Sequence, residues 1–194
     1  MTIGAVRRAL AGYTARVEDA PEALPAAVAL IVIERNGLEA LFIKRAARVG
    51  DPWSGQVALP GGRYEPEDGD LLHTAIRETR EETGVDLSGA ERLGVLDDLY
   101  PRTPTLPPVR VRPFVFTIAA APPLVASDEV ERAFWIPLAR LAEPGVRRDV
   151  KLIVRGEPRI FPAYDLGDDV IWGMTERILT PFLTLTNIAR NSPV

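Results

Sequence analysis

The chain of 194 residues has no cysteine and only one histidine. The first absence excludes thiol catalysis and a disulfide scaffold, though it says little about compartment. Together the two point away from a zinc or iron–sulfur centre. Charge of one sign is scarce too. The 23 basic and 27 acidic residues leave a formal charge of −4 and a pI near 5.2, which is no footprint for a nucleic-acid backbone. Long apolar runs are missing: no stretch approaches the roughly 18 residues a membrane span needs. The first ten residues carry Arg7 and Arg8 with no signal-like core behind them, and Ala26–Ile33 reads as a buried strand. The expectation is a protein of the cytoplasm, with neither nucleic acid nor membrane as partner.

What the sequence does have is a helix that ordinary stability would not write. The pattern predicts a helix over Leu71–Thr83, with Asp70 as N-cap and Gly84 just past its end. At about 100° per residue, Glu78, Glu81 and Glu82 share one sector of its surface. Leu72, Ala75, Ile76, Thr79 and Thr83 fill the next, and His73, Arg77 and Arg80 the third. A salt-bridged solvent helix would follow each Glu with a base four residues on. Here Glu78 is followed by Glu82, and Glu82 by Asp86; only Arg77 and Glu81 are complementary. Glu81 and Glu82 also sit in the last turn, where negative charge opposes the helix dipole. A bound cation would offset both penalties. With oxygen donors alone, that cation is a hard one, Mg²⁺ or Mn²⁺, and the chemistry is metal-assisted attack on phosphorus.

One domain is expected at this length. Residues 1–25 read as an appended piece: an amphipathic helix over 2–14, then a linker from Glu18 to Pro25. The main domain covers 26–194. Ala26–Glu34 and Glu39–Lys44 read as strands joined through Asn36-Gly37. Ala47–Gly55 reads as loop, Leu93–Leu99 and Val109–Ala119 as strands around a proline-rich loop, Pro101 to Pro108. Phe134–Ile136 is a further strand and Leu138–Ala142 a short helix. Lys151–Val154 and Arg159–Phe161 form a hairpin, and Thr175 to about Ala189 a last helix, interrupted or bent at Pro181.

The run Pro60-Gly61-Gly62 … Arg77-Glu78 … Glu81-Glu82 … Gly84-Val85 resembles the Nudix box, the signature of hydrolases that cleave a diphosphate linked to another group. Asp68 stands where Glu is usual, and one extra residue separates it from Arg77; both departures resemble the coenzyme A pyrophosphatase branch. Leu41–Arg45, Gly55–Gly62, Leu96–Leu99, Val111–Val115 and Ile171–Thr175 are similar to the same branch, whereas Ala46–Ser54 departs from it by length and by lacking the usual basic residue and His. The resemblance implies an α/β fold, an α/β/α sandwich around a mixed β-sheet. It implies metal at Glu78, Glu81 and Glu82, with Arg77 orienting a glutamate and the Gly61-Gly62 backbone close to the diphosphate. The general base is either a box glutamate or a later acid, for which Glu129 is the candidate.

The implied reaction is hydrolysis of coenzyme A or a derivative to 3′,5′-ADP and a 4′-phosphopantetheine product. Two alternatives stand beside it. One is the same chemistry on ADP-ribose, a nucleotide sugar or a damaged nucleotide; the other is a silent ligand-sensing module. The partner is a small diphosphate, and a homodimer is left open. Lys44, Arg45 and Arg63 flank the phosphate site, with Arg45 and Arg63 as substrate contacts. His73 reads as a surface residue, Trp172 as packing, and Trp53 as either a base-stacking ring or a loop plug. Arg110 and Arg112 meet a 3′-phosphate or lie on a solvated strand face.

Overall fold

In the computed structural model, which describes residues 2–48, 53–101 and 107–188, the first apolar run becomes a strand buried on both faces. This strand, β1 (Leu24–Glu34), sends Ala26, Leu30 and Val32 to one side and Ala27, Ala29 and Ile31 to the other. Alternate side chains of a strand point to opposite faces, so apolar residues on both demand a layer on each side. The first layer is α2 (Leu71–Thr83), whose Ala75 packs with Ala27, Ile31, Leu87 and Phe116. The second is α1 (Ile3–Ala11) with α4 (Gly173–Leu185). Their Val6, Leu10, Ile178 and Phe182 join Leu30, Val32 and Phe42.

The main sheet runs β3-β2-β1-β6-β5, where β2 is Leu38–Arg45, β3 Val57–Ala58, β5 Glu91–Val95 and β6 Val109–Thr117. It is mixed, because β1 and β6 are parallel. β4 (Gly61–Arg63) also pairs with β1, and β7 (Val130–Pro137) with β2. The ladder between β1 and β2 covers only Val32–Glu34 against Leu38–Ala40. Beyond it the strands part. Residues 57–63 fill the wedge, β3 on the end of β2 and β4 on the start of β1. A second antiparallel sheet, β10-β9-β8, follows α3 (Leu138–Leu141) and consists of β8 (Arg147–Val154), β9 (Glu157–Asp165) and β10 (Val170–Trp172).

Several expected boundaries move. The first helix ends at Ala11, and β1 starts at Leu24, inside the linker expected from Glu18 to Pro25; the segment between them is tied to the sheet. The Tyr13 hydroxyl and the Arg16 amide donate to Asp97, and the Glu18 amide to Asp98. The same acids cut short the strand expected to reach Leu99: β5 ends at Val95, and Leu99 makes a lone bridge to Val111. β8 and β9 run longer than expected, since a half-exposed hairpin gives little alternation to read; Arg155 and Gly156 supply its turn with φ of +54° and +79°. α4 starts at Gly173 and is continuous through Pro181 to Leu185. The helix thus ends short of the expected Ala189, which, with parts of the loops expected at 47–55 and 101–108, lies outside the described residues.

Candidate active site

The wedge between β1 and β2 brings the Gly-Gly turn against α2. At Gly61, φ is +148°, and a Cβ would stand 2.2 Å from the Ala27 carbonyl oxygen and 2.5 Å from Val28 Cα. Only glycine lets the backbones come this close. A Cβ on Gly62 would stand 2.4 Å from the Glu78 carboxyl carbon. The turn therefore presses on the carboxylate face of the helix, and the Gly61 amide donates to Glu82 Oε2 at 2.9 Å.

Glu78 and Glu82, one turn apart, both line a cavity of about 390 Å³ together with Gly61, Gly62, Arg45, Arg63 and Glu129. Glu82 is 4% exposed. Burial, with the Glu78 charge adding to it, pushes its carboxyl up to about 8 against the pull of the Gly61 amide. Burial raises Glu78 as well, opposed by the neighbouring Arg77. Glu81 is exposed and does not line the cavity; its carboxylate accepts from Arg77 at 3.1 Å. Two desolvated carboxylates with only oxygen to offer, pressed against a turn that has no side chain, fit a hard divalent cation. Among the described residues no three acids or histidines form a ready cage. The fit is therefore to two protein carboxylates, with the remaining positions left to water and substrate oxygens, as Mg²⁺ prefers.

Arg77 is the hub beside this pair. It donates to Asp68 twice, from Nε at 2.6 Å and Nη2 at 3.0 Å, and also to Glu78, Glu81 and the Arg63 carbonyl. Asp68, at the position where the sequence departs from the usual box, is thus the main anchor of Arg77. The Arg77 hydrogen bonds hold the Asp68 carboxyl well below the usual carboxylate range, helped by the Glu65 amide and the Thr74 hydroxyl. Replacing Asp68 by Asn is expected to cost about 2 kcal/mol at neutral pH, because a largely buried guanidinium loses its counter-charge. A folded pKa below the unfolded value of ~3.9 means this stability is fully present above that pH and is lost as pH falls through the folded pKa. The difference in urea midpoint between wild type and Asp68→Asn should accordingly shrink below about pH 4.

Sheet register sets the remaining groups. Arg45 ends β2 opposite Val130, and the Ala46 amide donates to the Glu129 carbonyl at 2.9 Å. Arg45 Nη1 lies 3.7 Å from Glu82 Oε1. The last carbonyls of α2 are satisfied from the same side, Thr83 by the Val125 amide and Glu82 by that of Ser127, so the segment carrying Glu129 is docked on the helix end. The rest of the cavity wall is mainly apolar, with Val109 and Val111 of β6, Met174 and Ile178 of α4, and Trp53, beside the polar Gln56 and Thr175. Trp53 also packs on the core, as the loop-plug reading expects.

Other expectations resolve differently. Val109 and Val111 face the cavity, so strand alternation turns Arg110 and Arg112 away from it. Arg112 instead grips Asp98 at 2.8 Å through two nitrogens, and Arg110 donates to the Glu18 carbonyl. They neither meet a phosphate at this site nor form a solvated face. Lys44 points to Glu131 and Asp169, outside the cavity. His73 is an exposed partner of its own cap residue, Asp70, and Trp172 packs on Phe161. The sequence reading missed Arg48, whose guanidinium meets Glu129 at 2.9 Å from 81 positions away. It also missed the α4 wall, for which only the similarity at residues 171–175 was a signal.

The NUDIX domain profile matches residues 23–155, from the start of β1 to the end of β8. The chain belongs to the Nudix family. Among curated relatives, the human protein named mitochondrial coenzyme A diphosphatase NUDT8 is 34% identical over 185 residues, 91% of this chain and 74% of its own. A Salmonella paratyphi B protein described as the uncharacterized Nudix hydrolase NudL is 33% identical over 156 residues, 79% of this chain and 78% of its own. Among solved structures, a MutT/nudix family protein from Enterococcus faecalis superposes with a TM-score of 0.56 at 21% identity, covering 88% of this chain and 64% of that one. The expected sandwich is thereby the Nudix fold. The Nudix chain is a diphosphatase of the coenzyme A pyrophosphatase-like kind, and a silent sensor is set aside. No helix among the described residues is long and apolar enough to cross a membrane.

Proposed function

We propose that this Nudix enzyme hydrolyses the diphosphate of coenzyme A or an acyl derivative, using Mg²⁺ or Mn²⁺ held by Glu78 and Glu82 with Glu81 at the rim. The observation that carries the reading is the pairing of buried Glu82 with partly buried Glu78 in a cavity that is also lined by Arg45, Arg63 and a mainly apolar set of side chains. Likeness to the human relative across most of the chain supports coenzyme A as the substrate. A diphosphate flanked by a long, weakly polar arm matches a site that combines carboxylates and arginines with a mainly apolar wall.

When bound, the cation supplies neutralisation of the diphosphate oxygens and a lower pKa for water. The chain's residues do the rest. The Gly61-Gly62 backbone admits the diphosphate to close range, and Arg77 steadies Glu78. Arg45 and Arg63 face the phosphate charge. Glu129 takes the proton from the attacking water as the new P–O bond forms and the anhydride P–O bond breaks. Val109, Val111, Met174 and Ile178 exclude solvent around the substrate arm, and Trp53 closes that wall.

The test is mass-spectrometric product analysis after incubation with Mg²⁺ and, separately, coenzyme A and ADP-ribose. The expected result is 3′,5′-ADP and 4′-phosphopantetheine from the first, and little turnover of the second. Cleavage of ADP-ribose with coenzyme A spared would overturn the substrate assignment and keep the diphosphatase.

A further inference from the structure

The backbone of Glu129 is fixed by the end of α2 and by the Ala46 amide, but neither contact restrains its side chain, which is 56% exposed. A glutamate free to turn at the mouth of a cation site would be drawn into it. Glu129 lines the same cavity as Glu78 and Glu82, so its carboxylate opens onto the space the cation would share. Arg48 stands against that collapse. Its Nη1 donates to Glu129 Oε1 at 2.9 Å and its Nη2 to the Asp128 carbonyl at 3.3 Å, gripping side chain and backbone together. Arg48 is itself anchored, since its amide donates to the Ser54 hydroxyl at 2.8 Å. The grip engages one oxygen of the carboxylate, leaving Oε2 to accept a proton.

We propose that Arg48 is the positioning residue for Glu129, holding its carboxylate at the cavity mouth beside the Glu78–Glu82 cation site but out of it. The inference rests on Glu129 as the base that takes the proton from water. It also gives a cationic role to the loop that departs from the coenzyme A branch. The basic residue comes from a different position and acts on an acid of the chain.

Two measurements on the full chain test it. In the first, Arg48→Ala, Arg48→Lys, Glu129→Gln and the Arg48→Ala/Glu129→Gln double variant are assayed with coenzyme A and Mg²⁺. Arg48→Ala should lower kcat about tenfold with KM nearly unchanged, and Arg48→Lys should recover part of the loss. Added to Glu129→Gln, Arg48→Ala should cost nothing further. In the second, Mn²⁺ affinity is measured by electron paramagnetic resonance without substrate. Arg48→Ala should tighten it by about threefold or more, as a released carboxylate joins the site, and the double variant should show no such gain. A raised KM with intact kcat would make Arg48 a substrate contact and overturn the proposal, as would an Arg48→Ala loss that persists undiminished beside Glu129→Gln. Normal kcat in Glu129→Gln would remove the base and the proposal with it. Failure of the wild type to cleave coenzyme A would count against the substrate alone. The Mn²⁺ arm then decides the role of Arg48, and unchanged affinity in Arg48→Ala overturns it.

Discussion

Replacing Glu82 by Gln should reduce turnover at least about 100-fold while leaving the protein folded. Glutamine keeps the shape of the side chain and an oxygen for the Gly61 amide, so the 2.9 Å bond that seats the turn on the helix survives. What it removes is charge, and charge is what a hard cation binds. The stability side of the experiment is equally informative. A carboxyl whose folded pKa of about 8 lies above its unfolded value of ~4.3 binds its proton more tightly when folded. Its contribution therefore falls as pH rises between those values. Without metal near pH 7, Glu82→Gln should melt no lower than wild type. Added Mg²⁺ should raise the melting temperature of the wild type and not of the variant. Thermal melts with and without Mg²⁺, beside steady-state rates, check both halves. A variant that turned over normally would sink the role given to Glu82.

The second large effect separates two adjacent glycines. Gly61→Ala puts a methyl group into the backbone of β1, 2.2 Å from a carbonyl oxygen that the sheet holds in place, and at a φ of +148° that alanine avoids. Neither strand can give way without breaking the β1–β4 pairing, so the cost should be about 3 kcal/mol or more, read as a fall in urea midpoint. Gly62→Ala meets only the far end of a flexible side chain, the Glu78 carboxyl at 2.4 Å. Glu78 can swing aside, so stability should change by less than about 1 kcal/mol. Turnover should still fall about 100-fold, because a ligand of the proposed cation has been displaced by roughly an ångström or more. Loss of stability in both variants to the same degree would contradict this division.

The contrast between Glu82 and Glu129 marks how far the sequence could be read. The spacing of Glu78 and Glu82, the cap at Asp70 and the stop at Gly84 are local signals, and the helix formed where they put it. The β1–β2 hairpin followed from Asn36-Gly37 for the same reason. That Arg110 and Arg112 alternate along a strand was legible. Which side of β6 met the cavity was not, because Val109 and Val111 on the one hand and Phe114 and Phe116 on the other face two different cores. Asp68 stood in the sequence as an irregularity of the box; the three hydrogen bonds it accepts from α2, one from Thr74 and two from Arg77, exist only once the turn at 65–68 folds back on that helix. Arg48 and Glu129, far apart in the chain, meet through the pairing of β2 with β7, a long-range contact that periodicity cannot carry.

The claim on which the rest depends is that Glu78 and Glu82 hold the divalent cation. Titration of Mn²⁺ into the wild type, Glu78→Gln, Glu82→Gln and Glu143→Gln, followed by electron paramagnetic resonance, tests it without reference to any substrate. Glu143 serves as control because it is exposed and does not line the cavity. One tight site in the wild type and in Glu143→Gln, weakened at least about tenfold in each of the other two, is the predicted result. Unchanged Mn²⁺ affinity in Glu82→Gln would contradict it.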